Sequence, residues 1–130
     1  MTPEERIKTA LESVDGLRGK VFPLEGLKNA APDFVFYLRL TEDEESALDG
    51  PTGLQSGAFE INCVSRSFAG LVALGGAVWP VLRALQGTVV EGLHIERATI
   101  RQSSPDIKEK EVNLFRRMYV LELNYQKEEK

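Results

Sequence analysis

A chain of 130 residues with 42% hydrophobic and 28% charged side chains has the size and composition of one globular domain, which excludes wholesale disorder. Its formal net charge of −4 argues against a dedicated nucleic-acid binder, because displacing counterions from phosphate needs a basic face. A single cysteine, Cys63, excludes an internal disulfide and a cysteine-rich metal site, and points to a reducing cytosol.

The first residues, MTPEERIK, are too acidic and polar for a signal peptide. They read instead as a helix start: Thr2 caps, Pro3 takes the first helical position and Glu5 completes a capping box. Ile7, Ala10, Leu11 and Val14 then form one apolar stripe, and Asp15-Gly16 closes a helix predicted over residues 3–14. Residues 20–23 predict a short strand ending at Pro23, a residue suited to a sheet edge. A loop over 24–33 leads into FVFYLRL at 34–40, whose two faces are both largely apolar, as in a central strand. Residues 41–53 hold Glu42, Asp43, Glu44, Glu45 and Asp49 with no Lys or Arg and end in turn residues, which predicts an acidic loop.

The stretch 51–86 organises the rest. Phe59, Ile61 and Cys63 alternate with Ala58, Glu60 and Asn62, the period of a half-buried strand over 54–64. Ser67 then caps a helix predicted over 67–86, in which Phe68, Leu71, Val72, Val78, Trp79, Leu82 and Leu85 recur at helical spacing. Its uncharged run, 68–82, has 15 residues, short of the ~18–20 that span a bilayer, so it reads as a core helix. Pro80 removes one helical hydrogen bond and predicts a bend or a new segment. After a turn at 87–92, residues 93–102 and 114–125 predict two antiparallel strands joined by the polar stretch 103–113, and QKEEK predicts a frayed tail over 126–130. The expected fold is α+β: two helices packed on one face of a mostly antiparallel sheet of four to five strands, in the order α-β-β-β-α-β-β. It forms one domain over 1–130, with an ordered core at 2–125.

Chemistry-bearing residues are sparse. His94 is the only histidine, so neither a catalytic triad nor the usual zinc ligand sets can be assembled, and it reads as a structural or surface residue. Cys63 falls on the apolar face of its strand, where an inert thiol is the default. The carboxylates at 42–49 lack the spacing and glycine of an EF-hand loop and read as a solvated or partner-facing loop. Gly70, Gly75 and Gly76 lack the Gly-Lys-Ser/Thr ending of a phosphate loop and suit close helix packing. Arg97, Arg101, Lys108, Lys110, Arg116 and Arg117 make the last hairpin basic, although Glu96, Asp106, Glu109 and Glu111 interleave with them. No catalytic, cofactor-binding or metal-binding residue is expected, and the chain does not read as an enzyme.

The order of these phrases carries a resemblance. The helical start, Lys20-Val21-Phe22-Pro23, Pro32 before FVFYLRL, the Leu48-Asp49-Gly50 turn, Gly53-Leu54 before AFEINC, Ser67-Phe68 opening the second helix and the closing YVLELNY follow one another along residues 2–125. Together they resemble the small tail-completion, tail-terminator-like proteins of long-tailed bacteriophages and prophages. The apolar second helix with Trp79-Pro80 departs from that pattern, since similar proteins carry a more amphipathic helix there. The resemblance implies a virion structural protein without catalytic residues or cofactors. Such a protein caps the head-proximal end of the tail tube and helps join tail to head, commonly as a hexameric ring. Its implied partners are other copies of itself, the tail-tube protein and the head–tail connector protein, with no main role in nucleic-acid binding and no membrane. It is expected in the bacterial host cytoplasm during assembly and then in the virion tail.

Charge is unevenly spread: residues 1–62 carry 6 Lys/Arg against 12 Asp/Glu, and residues 63–130 carry 10 against 8. Solvated surface accounts for that pattern in the simplest case. In a ring, where one surface of a subunit meets a different surface of its neighbour, the acidic 41–49 and basic 97–117 segments are opposed contact candidates. Another head-to-tail connector, a tail-assembly component and a small ligand-binding α+β domain stay open as alternatives.

Overall fold

The computed structural model describes residues 1–24, 31–47 and 50–127, the side chains of 45–47 and 50–52 excepted. Helix α1 (Pro3–Glu12) begins with a complete capping box: Thr2 Oγ1 accepts from the Glu5 N–H at 3.1 Å, and the Thr2 N–H donates to Glu5 Oε1 at 3.2 Å. Two otherwise orphaned backbone donors are satisfied in this way. The helix stops two residues before the expected end at Val14; there Ser13 Oγ donates to the Ala10 carbonyl at 2.5 Å, competing with helix continuation.

Strand β1 (Val21–Pro23) is followed by β2 (Phe34–Ala47), β3 (Gly50–Ser65), helix α2 (Phe68–Arg83), β4 (Val89–Val90), β5 (Leu93–Gln102), β6 (Ile107–Glu109) and β7 (Leu114–Lys127). The strands form one seven-stranded sheet in the order β1-β2-β3-β7-β5-β4, with β6 paired to β7. Only β1 and β2 pair in parallel; every other pairing is antiparallel. The expected four to five strands are therefore too few, because β4 and β6 are two and three residues long and leave no readable alternation. The element order gains those two strands accordingly.

The largest departure is at residues 41–53. Instead of an acidic loop, β2 and β3 continue through them as a long hairpin, pairing Thr41 with Ala58 and on to Ala47 with Gly50. Exposed edge strands tolerate charge, and Glu42, Asp43 and Glu44 are all exposed. Asp49 and Leu48 lie outside the described residues. Gln126 and Lys127, expected to fray, extend β7 and pair with Leu54 and Leu93 respectively; residues 128–130 are outside the described set.

Both helices cover one face of the sheet. Ile7 and Leu11 of α1 and Leu71, Val78 and Leu82 of α2 are fully buried against Val35 of β2, Phe59, Ile61 and Cys63 of β3, and Leu121 and Leu123 of β7. The strand alternation read in the sequence thus points the expected face inward. Helix α2 starts at its cap Ser67, whose Oγ accepts from the Gly70 N–H at 2.9 Å, and runs through Pro80 without restarting. Gly75 faces the sheet: a β-carbon there would come within 2.7 Å of both Arg117 Nη1 and Tyr119 Oη, so its absence lets the helix settle onto β7. The opposite sheet face has a smaller apolar cluster around Phe34, Phe36 and Val64, with Phe22, Leu38 and Leu114 against it.

Leu121 lies at the centre of β7, fully buried. Replacing it with alanine is expected to lower unfolding stability by about 2–5 kcal/mol, the cost of lost burial plus a cavity. A fall in the urea midpoint with little change in slope is the expected readout.

Candidate functional site

The sheet has two long edges, and part of the charge identified in the sequence lies along them. Beyond Tyr37, the last residue of β2 paired with β1, no strand among the described residues covers the outer side of β2. Beyond the two-residue pairing of β4 with His94 and Leu93, none covers the outer side of β5. Glu42, Asp43 and Glu44 lie on the β2 edge, whereas Arg97 and Arg101 lie on the β5 edge.

Register decides which way each side chain faces. Glu42 and Glu44 pair with Gly57 and Gln55 and share the helix-covered side of the sheet with Phe59, whereas Asp43 pairs with Ser56 on the opposite, open side. Asn124 pairs with Ser56 and with Arg97, so Asp43, Ser56, Asn124 and Arg97 form one row across four strands of the open face. Three strand spacings put the two charged ends about 14 Å apart. Thr99 and Arg101 continue the open side of β5, and Arg97, Thr99, Glu122 and Asn124 line a shallow groove there.

Several of the expected contact residues are occupied within the subunit. Glu42 Oε1 lies 3.0 Å from Arg39 Nη1 and accepts from the Tyr125 hydroxyl at 3.4 Å. Arg39 also pairs with Glu4 of α1 at 2.6 Å and lies over the Phe59 ring at 4.9 Å, which ties the hairpin to the helix layer. Arg117 grips Asp106 with two bonds, Nε to Oδ1 at 2.8 Å and Nη2 to Oδ2 at 2.7 Å, and both groups are mostly shielded from solvent. Arg116 pairs with Glu109 at 3.1 Å, and Lys108 lies over the Phe115 ring at 5.5 Å. Among the described residues, Asp43, Glu44, Arg97, Arg101 and Lys110 have no ion-pair partner, and all five are exposed. The Glu45 side chain and Asp49 lie outside the described residues.

Arg83 was not singled out in the sequence. It closes α2, is exposed, and lines an open groove of about 480 Å³ with Trp79, Gln86, Arg97, Ala98, Thr99 and Ile100. A single charge ending an otherwise uncharged helix was the available signal. With Arg97 and Arg101 it makes the β5 edge basic on both sides of the sheet. Helix α2 also presents Phe68 and Val72, about half exposed, next to Phe115.

The remaining chemistry-bearing residues are placed as follows. Cys63 is fully buried, and burial pushes its thiol up to about 12 against a smaller lowering by Arg117, so the nucleophilic thiolate is suppressed at neutral pH. His94 Nδ1 lies 3.1 Å from Glu96 Oε1, partly exposed. Among the described residues no group of three or more His, Cys, Asp and Glu is placed to hold a metal ion, and no helix is long and apolar enough to cross a membrane.

No protein-family model and no curated protein matches the sequence. Solved structures do match in fold. One such chain, from the "Virion of native gene transfer agent (GTA) particle", aligns with a TM-score of 0.60 at 17% identity, covering 95% of this chain and 94% of that one. The fold is shared over essentially the whole length of both.

Arg117 holds the Asp106 carboxyl below the usual carboxylate range, chiefly by direct hydrogen bonding. A depressed folded-state value means that the pair's stabilisation is fully present above the ordinary aspartate pKa of about 4 and is lost as pH falls through the folded one. Asp106→Asn is expected to cost about 1–3 kcal/mol at pH 7 and to flatten the acid limb of the stability–pH curve, measured by urea melts between neutral and acid pH. A native-state thiol titration should find Cys63 unreactive until the chain unfolds.

Proposed function

We propose that this chain is a structural virion protein that caps the head-proximal end of a phage or prophage tail tube and helps join tail to head. It works without catalytic chemistry, as a ring of identical subunits, six in the expected assembly. The observation that carries this proposal is the end-to-end likeness of fold to a chain of a gene transfer agent virion. The order of sequence phrases along residues 2–125, which resembles that of tail-completion proteins, supports it from the sequence side.

The surface chemistry fits such a role. A closed ring needs two different surfaces on each subunit, one meeting the other on the neighbour. An acidic β2 edge and a basic β5 edge on opposite sides of one sheet supply such a pair. The hexamer count and the tail-tube and connector partners come from the tail-completion resemblance. The same likeness of fold also suits another head-to-tail connector or tail-assembly component, and the tube end separates the two roles.

Light scattering of the purified chain across concentration, with and without the tail-tube protein, is the test. A mass roughly six times the 14.5 kDa subunit, or a monomer that forms a ring only on tube ends, is the expected outcome. A chain that stays indifferent to the tube protein at every concentration overturns the capping role and favours a connector component. Electron microscopy of the same mixtures should show added density at one end of each tube.

A further inference from the structure

We propose that copies of this chain join edge to edge: the outer length of β2 in one copy pairs with the free length of β5 in the next, making one sheet that runs continuously between subunits. Ring closure rests on the role proposed above; the strand pairing itself does not.

The first support is the backbone. A strand with an uncovered side presents a row of unpaired N–H and C=O groups, which another strand can complete. The Val35 N–H donates outward to the Lys20 carbonyl of the chain entering β1, and that cover ends with β1. On β5, the Ala98 N–H points outward and is met at 3.2 Å by the Gln86 side chain. Strand alternation then turns the backbone groups of Ile100 and Gln102 outward too. Regular stretches are available on both sides, four residues long on β2 and six on β5. On β2, residues 41–44 lie between shifts in register at Arg39/Thr41 and Glu44/Ser46; on β5, residues 97–102 follow the shift at Ile95/Arg97.

Direction fits as well. Through β3 and β7, three successive antiparallel pairings separate β2 from β5, so the two edge strands run in opposite directions. A second copy rotated about an axis along the strands therefore meets the first in antiparallel fashion, the more favourable pairing.

Charge selects the occupant. Two β2 edges would bring Asp43 and Glu44 against their own copies, and two β5 edges would do the same with Arg97 and Arg101. Only the unlike combination is attractive, and a heterologous contact of this kind propagates head to tail. The faces also agree. A continuous sheet keeps its open side open, which sets Asp43 towards Arg97 and Arg101; on the helix-covered side it sets Glu44 towards Arg83. Charged, bulged edges commonly guard against indiscriminate pairing. Here the guards have opposite signs, so each repels its own kind and admits the other.

A charge-swap experiment tests the pairing. Asp43→Lys with Glu44→Lys makes both edges basic; Arg97→Glu with Arg101→Glu makes both acidic. None of the four residues has an ion-pair partner among the described residues, so each variant should keep the fold, checked by circular dichroism. Each variant alone is expected to self-associate on the order of tenfold or more weakly than wild type, with or without tube ends present. An equimolar mixture should recover the wild-type mass, with equal numbers of the two chains by native mass spectrometry. If both variants keep the wild-type oligomer, or the mixture fails to recover it, edge pairing is wrong. A ring that survives both reversals on tube ends leaves the capping role standing without edge pairing. Assemblies that respond to the swap but ignore tube ends keep the pairing and remove that role. A wild-type chain that is monomeric under all these conditions overturns both.

Discussion

Twelve consecutive residue pairs join β3 to β7, from Leu54–Gln126 to Ser65–Phe115, and the rest of the structure is fixed by them. Along this ladder Phe59 faces Leu121 and Ile61 faces Tyr119 on one side, while Glu60 faces Val120 and Asn62 faces Met118 on the other. A shift of a single residue would exchange those faces and send the main core into solvent. Both flanking strands depend on the ladder: β2 pairs only through β3 on its inner side, and β5 through β7. The helices contribute the lid of the core and not its frame. They pack on the surface that the two central strands present.

That packing explains the composition of α2. Leu71, Val78 and Leu82 take the buried side, and Gly75 brings the helix close to β7 where Arg117 and Tyr119 would meet a larger residue. A guanidinium beneath an apolar helix is costly unless its donors are satisfied. Asp106 supplies that satisfaction from the connection before β6, and Tyr119 adds a longer contact at 3.5 Å. Part of the basic character of the last hairpin is therefore internal structure. The charge left for a partner is concentrated at the sheet's margins.

The parts of the fold with a repeating pattern were legible in the sequence. Thr2 and Glu5 announced the capping box; alternation at Phe59, Ile61 and Cys63 announced the buried face of β3. The hairpin beyond Leu40 was not legible, because Thr41-Glu42-Asp43-Glu44 has no apolar alternation and only Thr41 is a good strand former. Tertiary pairing overrode local preference there. The candidate surfaces were half legible. Arg97 and Arg101, four apart in one strand, share a face by simple alternation. That Arg116 and Arg117 bind Glu109 and Asp106 required the placement of β6 beside β7. Arg83 joins them only in three dimensions, since a helix end and a strand edge meet at that groove.

The irregularity between Arg39 and Thr41 acts as a phase shift. Before it, odd-numbered residues of β2 face the helices; after it, even-numbered residues do. Arg39 and Glu42 can touch across the sheet's helix side only because the chain has slipped half a period between them. The inner and outer halves of the hairpin are therefore free to vary independently. Were Leu40 taken into the ladder as an ordinary strand residue, the buried end of β2 would stay in place while everything beyond it inverted, carrying Asp43 to the helix side and its neighbours to the open one. The bulge at that point, as much as charge, sets which side of the sheet is acidic.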